Sequence, residues 1–321
     1  MASNFQIVRN EIQSLMTEAA KVYVGQEDFV RFTLVALFAG GHVLMEGVPG
    51  LGKTLLVRIL GKALGCRFKR VQFTADLMPS DITGQPIFDA KLQDFRFRPG
   101  PVFTRILLAD EINRSPAKTH AALLEIMQEG RVTVDGTTYP IKPPFLVLAT
   151  QNPVESEGTY NLPEAQLDRF LFKLVVDYPT IDEEVSILKL HCSPHNLETH
   201  VSEKILPVLT PTRILAIQEL CREVVVVDKV LLYITDIVRK TREWPAFFMG
   251  ASPRAGIALL SGARVLAAFA GRSYVIPDDI AELVLPALRH RVILSPEAEV
   301  EGETTDHALK ALVKTIEVPH L

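Results

Sequence analysis

Eight consecutive residues, Gly47-Val48-Pro49-Gly50-Leu51-Gly52-Lys53-Thr54, match the pattern GxxxxGK[ST]. Glycines at these spacings let successive backbone N–H groups turn toward one anion. A helix starting there aims its positive end at the same point. Lys53 would reach the β- and γ-phosphates of a nucleoside triphosphate, and Thr54 would offer its hydroxyl to Mg²⁺. Further along, the apolar run Ile106-Leu107-Leu108-Ala109 ends in Asp110-Glu111. Asp110 would hold Mg²⁺ through water, and Glu111 would polarise the attacking water. Asn152, in Ala149-Thr150-Gln151-Asn152-Pro153, also follows an apolar run. Its amide would orient that water or touch the γ-phosphate, a role compatible with an Asn-Pro turn.

Such groups act together only if the ends of parallel strands bring them to one edge. His42 to Glu46 reads as a short buried strand before the glycine loop, and Thr54 to Leu64 as a helix stopped by Gly65. This strand–loop–helix context is what the motif needs. Phe68, Val71 and Phe73 lie in a second strand, and Ile106 to Asp110, Phe145 to Ala149 and Phe170 to Val176 complete five. Phe5, Val8, Ile12, Leu15, Met16 and Ala19 recur at helical spacing, and a second helix from about Gln26 to Ala39 stops at Gly40-Gly41. Ala117 to Glu129 is helical. Arg131 to Ile141 alternates about Asp135-Gly136, a two-residue hairpin signature.

Beyond Tyr178-Pro179 the strand–helix alternation ends. Helical patterns cover Glu183 to His191, Thr212 to Glu223, Lys229 to Arg242, Arg254 to Ala270 and Asp278 to Arg289, with Val224 to Val227 as an extended connector. The expected fold class is α/β. A parallel five-stranded sheet flanked by helices spans residues 1–178, and an all-helical domain spans 179–321.

The 321 residues are long enough for two domains. The net charge of −4 argues against a constitutive nucleic-acid binder, which would carry a basic balance. Cys66, Cys192 and Cys221 lie far apart, which excludes a disulfide framework and fits a reducing compartment. No run reaches the ~18 apolar residues of a membrane span. Arg9 and Glu11 interrupt the N-terminus, so no signal peptide is expected. The expected location is the cytoplasm.

Together these residues resemble the AAA+ ATPases and, within them, the MoxR family, over roughly Val24 to Leu294. The resemblance is carried by Val24-Gly25-Gln26-Glu27, the glycine loop, Asp110-Glu111-Ile112-Asn113-Arg114, Gln151-Asn152-Pro153 and Glu157-Gly158-Thr159-Tyr160. It continues through Leu162-Pro163-Glu164-Ala165-Gln166-Leu167-Asp168-Arg169-Phe170 and Ser252-Pro253-Arg254-Ala255. Asn161 departs from an expected proline.

The resemblance implies Mg²⁺-dependent ATP hydrolysis. In it, Asn152 is the sensor-1 residue. Arg169 is an arginine finger entering the neighbouring subunit's site, and Arg254 a second sensor reaching the γ-phosphate of its own site from a helical lid. Val24 and Gly25 would line the adenine pocket. A hexameric ring is implied, with von Willebrand factor A-domain proteins as partners. Arg114 takes no role.

Between Thr74 and Arg105, the alternation of Phe95 and Phe97 with Arg96 and Arg98 indicates an added hairpin at about 86–103. In the family it resembles the helix-2 insert, and the 131–141 hairpin stands before sensor 1. Both would project toward a central channel, or Phe95 and Phe97 pack locally. Three functions stay open at this point: a chaperone-like remodeller of protein complexes, a nucleic-acid motor and a nucleotide-gated scaffold without turnover. Acidic balance favours the first, and Arg96, Arg98 and Arg131 keep the second.

Overall fold

The structure, a computed structural model, describes residues 2–320 except 49, 92, 153–159, 161 and 193–196. Pro49 of the glycine loop therefore lies outside the described residues, as do Pro153, Glu157, Gly158, Thr159 and Asn161 of the resemblance. Helices α1 (Ala2–Ala20) and α2 (Glu27–Ala39) precede β1 (Val43–Glu46), α3 (Lys53–Ala63) and β2 (Phe68–Gln72). A short α4 (Pro79–Thr83) leads into the hairpin β3 (Gly84–Asp89) and β4 (Asp94–Pro99). Then come β5 (Ile106–Asp110), α5 (Ala117–Glu129), the hairpin β6 (Arg131–Val134) and β7 (Thr137–Pro140), β8 (Leu146–Gln151), α6 (Glu164–Leu167) and β9 (Phe172–Val175).

The five expected strands form one sheet in the order β2-β5-β8-β1-β9, and every pair in it is parallel. Burial on both faces explains why β1, β5 and β8 read as continuous apolar runs. Side chains alternate across the sheet. Val43, Met45, Ile106 and Leu108 pack into one core with α1, α2 and α3. Leu44, Leu107, Ala109, Val147 and Ala149 pack into the other with Leu123, Leu124 and Met127 of α5.

The C-terminal part contains α7 (Ile181–His191), α8 (Leu197–Lys204), α9 (Pro211–Arg222) and α10 (Asp228–Thr241), then β10 (Phe247–Met249) and α11 (Pro253–Phe269). It ends with α12 (Pro277–Leu288), β11 (Ile293–Leu294), α13 (Pro296–Val300) and α14 (Thr305–Val313). The region is helical but carries one short antiparallel pair, β10 with β11. Its apolar residues share a continuous core with the first face of the sheet. Phe32 meets Phe172 and Phe38 meets Phe269 edge to face, with centroids 6.4 and 5.6 Å apart. At Gly262 of α11, an added Cβ would stand 2.9 Å from the Phe172 ring, so α11 lies hard against β9.

Both hairpins form. The first covers 84–99, slightly earlier than the expected 86–103. The second turns at Asp135 and Gly136, both with positive φ, as its tight turn requires. Phe97 stacks on Tyr139 with centroids 4.0 Å apart, which ties the two hairpins together. Phe95 behaves differently: it is 67% exposed, beside Phe88 at 58%. Local packing therefore accounts for Phe97 and leaves Phe95 exposed.

Candidate functional site

The parallel register gathers the chemistry. Gln72 stands opposite Asp110, and Glu46 opposite Gln151. The carboxyl ends of β2, β5, β8 and β1 thus share one edge, where ligands of such sheets bind. A cavity of about 380 Å³ opens there, lined by Gly47, Gly50, Leu51, Gly52, Lys53, Thr54, Arg70, Asp110, Glu111, Thr150, Gln151 and Asn152. Gly50 and Gly52 have φ of 90° and 74°, conformations that turn the loop into the start of α3 and that a side chain would resist. Val48, next to the cavity-lining Gly47, carries the loop between strand and helix.

Lys53 donates to the Gly47 carbonyl. Burial lowers its pKa, while the negative charges of Asp110, Glu111 and Glu46 oppose that shift and favour the ammonium form. Asp110 is gripped from two sides. Thr150 Oγ1 donates to its Oδ1 at 2.6 Å, and Arg70 donates Nε at 3.0 Å and Nη2 at 2.6 Å to its Oδ2. The same Thr150 hydroxyl accepts the Glu111 backbone N–H at 2.7 Å.

Glu111 itself has φ 56°, a left-handed conformation uncommon for a residue with a side chain. That bend breaks off the strand and turns it into the 3-10 turn Ile112–Arg114. Gln72 donates to Glu111 Oε2 at 2.8 Å, and Arg114 Nε lies 3.0 Å from the same oxygen. Arg114 is thus held against the carboxylate expected to polarise water.

The oxygens of Thr54 and Asp110 converge on one cavity, and hard oxygen donors of this kind suit Mg²⁺. Among the described residues no cluster of three or more His, Cys, Asp or Glu side chains stands ready to hold a metal by itself.

A second cavity, about 220 Å³, adjoins the first through Gly50, Leu51 and Gly52. Its walls are mainly apolar: Val22, Tyr23, Val24, Leu55, Pro179, Ile187 and Leu190. An apolar slot beside a phosphate cradle matches the shape of a nucleotide, base in one and phosphates in the other. Val24 lines this slot. Gly25 does not line it; an added Cβ there would meet the Glu183 carboxylate at 2.4 Å. Thr180 and Glu183 form the capping box that starts α7, so the capped helix end occupies that space.

Neither Arg169 nor Arg254 is among the residues lining the phosphate cavity. Arg169 follows α6, half-buried, and its Nε has no hydrogen-bond partner. Arg254 is exposed at the start of α11, its Nη1 4.0 Å from Asp168 Oδ2. Ser252 caps that helix and donates to the same Asp168 oxygen at 3.0 Å. The helix start is docked on Asp168, beside Arg169.

Sequence reading missed Arg70, Gln72, Thr150 and Arg291. Arg70 and Gln72 alternate with the apolar residues of β2 beside the Asp110 strand, a signal present in the spacing. Arg291 lies 123 residues from Asp168 and bonds to it at 2.7 Å, which local sequence does not foretell.

Residues 42–172 match the family "ATPase family associated with various cellular activities (AAA)", and residues 239–312 match the AAA lid domain. The chain is 49% identical to the uncharacterized YeaC protein of Bacillus subtilis, over 93% of this chain and 92% of the relative. It is 40% identical to the chaperone MoxR1 of Mycobacterium tuberculosis, over 97% and 83%. A solved crystal structure from Cytophaga hutchinsonii, described as an ATPase, superposes with a TM-score of 0.91 at 40% identity, covering 99% of this chain and 98% of that one. The cradle, the adjoining apolar slot and these full-length likenesses place the chain in the MoxR family of AAA+ ATPases.

Proposed function

We propose that this chain hydrolyses ATP with Mg²⁺ at a site completed by a neighbouring copy of itself, and uses the cycle to remodel partner protein complexes. The observation that carries this reading is the split of the expected machinery. Lys53, Thr54, Asp110, Glu111 and Asn152 line one cavity, whereas Arg169 and Arg254 do not.

Phosphoryl transfer depends on positioning and charge stabilisation. Lys53, kept cationic by the carboxylates around it, neutralises the β- and γ-phosphates. Asp110 and Thr54 would hold Mg²⁺, which when bound offsets phosphate charge. Glu111 orients the attacking water, and Asn152 fixes water or γ-phosphate from the end of β8. Arg169 enters the neighbour's site, and Arg254 reaches the γ-phosphate of its own site from the lid, its helix start docked on Asp168. A finger of this kind is worth ~10³–10⁵ in rate. A head-to-tail contact that places it closes into a ring, with six copies the expected number. Residues 179–321 serve as the lid.

The chaperone-like reading draws on the family and on the exposed pair Phe88 and Phe95 at the hairpin tip, an apolar contact for a protein client. Of the three arginines that kept a nucleic-acid motor open, two are paired: Arg96 lies 3.7 Å from Asp89 and Arg131 2.9 Å from Glu129. Among the described residues no helix is long and apolar enough to cross a membrane. A von Willebrand factor A-domain protein is the proposed partner, and the cytoplasm the proposed location.

The test is turnover per subunit against protein concentration. Turnover falls steeply on dilution into monomer if the finger acts across an interface; a flat profile down to monomer refutes it.

A further inference from the structure

We propose that Arg291 is a positioning residue for Arg169, holding residues 168–171 in the posture that presents the finger to the neighbouring subunit. This rests on the reading of Arg169 as a finger acting across the interface. The Arg291 side chain is 3% exposed and lies just beyond α12. A guanidinium has five N–H donors, and here each finds an acceptor. Nε donates to Asp168 Oδ1 at 2.7 Å. Nη2 donates to the carbonyls of Asp168 at 3.2 Å and Phe170 at 2.6 Å. Nη1 donates to the carbonyl of Leu171 at 3.0 Å and to that of Ala287 on α12.

Four of the five donors therefore grip the chain on both sides of Arg169. His290 adds a contact to the Phe170 carbonyl at 3.1 Å. The other carboxylate oxygen of Asp168 takes Ser252 at the start of α11. Arg169 Nε is buried without a hydrogen-bond partner in its own subunit, so no bond at that atom fixes the side chain and the placement of its backbone matters. Arg291 holds the carbonyls of that backbone, while the backbone N–H groups go to Gln166, Leu167 and His42. Burying a cation is costly unless it is fully paired, and the complete use of its donors is what makes this one tolerable. Lysine keeps the charge but has three donors, so it cannot hold carboxylate and carbonyls in the same geometry.

The test uses Arg291→Lys in the full chain, with Asp168→Asn as the second variant should the first lose its cooperative melting transition. Each is measured alone and mixed with Glu111→Gln subunits, whose own sites are dead but whose fingers are intact. Arg169→Ala mixed with Glu111→Gln is the control for the finger itself. Arg291→Lys alone is expected to turn over roughly 100-fold more slowly, the scale of an ångström-sized misplacement. Its affinity for a fluorescent ATP analogue should stay within about twofold of the parent, since Arg291 lines neither nucleotide cavity. Mixing with Glu111→Gln should raise turnover above either parent, for Arg291→Lys and Arg169→Ala alike. Recovery with Arg169→Ala but not with Arg291→Lys overturns the positioning role and leaves the finger standing. Full turnover in Arg291→Lys alone also overturns it. No recovery in the Arg169→Ala mixture removes the finger, and this proposal with it.

Discussion

His42 makes the core of this protein acid-sensitive, and the size of the effect follows from its contacts. The ring is buried at the start of β1. Its Nδ1 accepts the Val147 backbone N–H at 3.0 Å, and its Nε2 donates to the Met127 carbonyl at 3.0 Å. Both nitrogens are used by the neutral ring. A proton on Nδ1 would set two N–H groups against each other in a buried space. Burial pushes the pKa down from 6.5 to about 4, opposed only in part by the Met127 carbonyl. The unfolded chain thus binds this proton more readily than the fold, and stability is lost as pH falls below 6.5. The full loss, complete below about pH 4, is roughly 3 kcal/mol. About 2 kcal/mol of it is gone by pH 5. For a urea slope near ~3 kcal/mol/M this shifts the unfolding midpoint by about 0.7 M between pH 7.5 and 5. His290 is depressed in the same direction by its burial and by Arg291, so the comparison must be with His42→Gln. That variant keeps a donor and an acceptor but does not titrate. Wild type should lose about 2 kcal/mol more than His42→Gln over the range. Equal losses in the two proteins refute the assignment.

Thr150 bridges the Asp110 carboxylate and the Glu111 backbone N–H, and Thr150→Val keeps its shape while stranding that N–H. Stability should fall by ~1–3 kcal/mol in urea unfolding, and turnover by about tenfold for each ~1.4 kcal/mol that falls on the transition state. Unchanged turnover would show that Glu111 does not depend on this hydroxyl for its posture. Leu190→Arg places a charge in the apolar slot, and titration with a fluorescent nucleotide should show affinity weakened at least about tenfold, or ~1.4 kcal/mol. Unchanged affinity would mean the base binds elsewhere.

The sheet was legible because burial on both faces makes β1, β5 and β8 apolar throughout, and each ends in a functional group: Glu46 before the loop, Asp110, and Gln151 before Asn152. Helices with one dominant stripe, such as α10 and α11, were legible within a residue or two. Short elements were not. Neither α14 nor the β10–β11 pair has enough length to establish a period, and their place depends on contacts with distant chain. The site divides in the same way. Lys53, Thr54, Asp110 and Glu111 announce themselves because the chemistry demands adjacent residues in a fixed pattern. Arg70 was hidden because β2 was read for its apolar members, though its polar alternates face the cavity edge. The helix start that carries Arg254 is held by Ser252 and Asp168, contacts that form only once residues more than eighty apart meet.

In the proposed mechanism one cavity binds ATP through Lys53 and cleaves it through Glu111. Measuring ATP binding and phosphate release side by side for Glu111→Gln and Lys53→Ala tests it most directly. Glu111→Gln is expected to bind ATP and release no phosphate above background, and Lys53→Ala to do neither. Phosphate release by Glu111→Gln at the wild-type rate contradicts it.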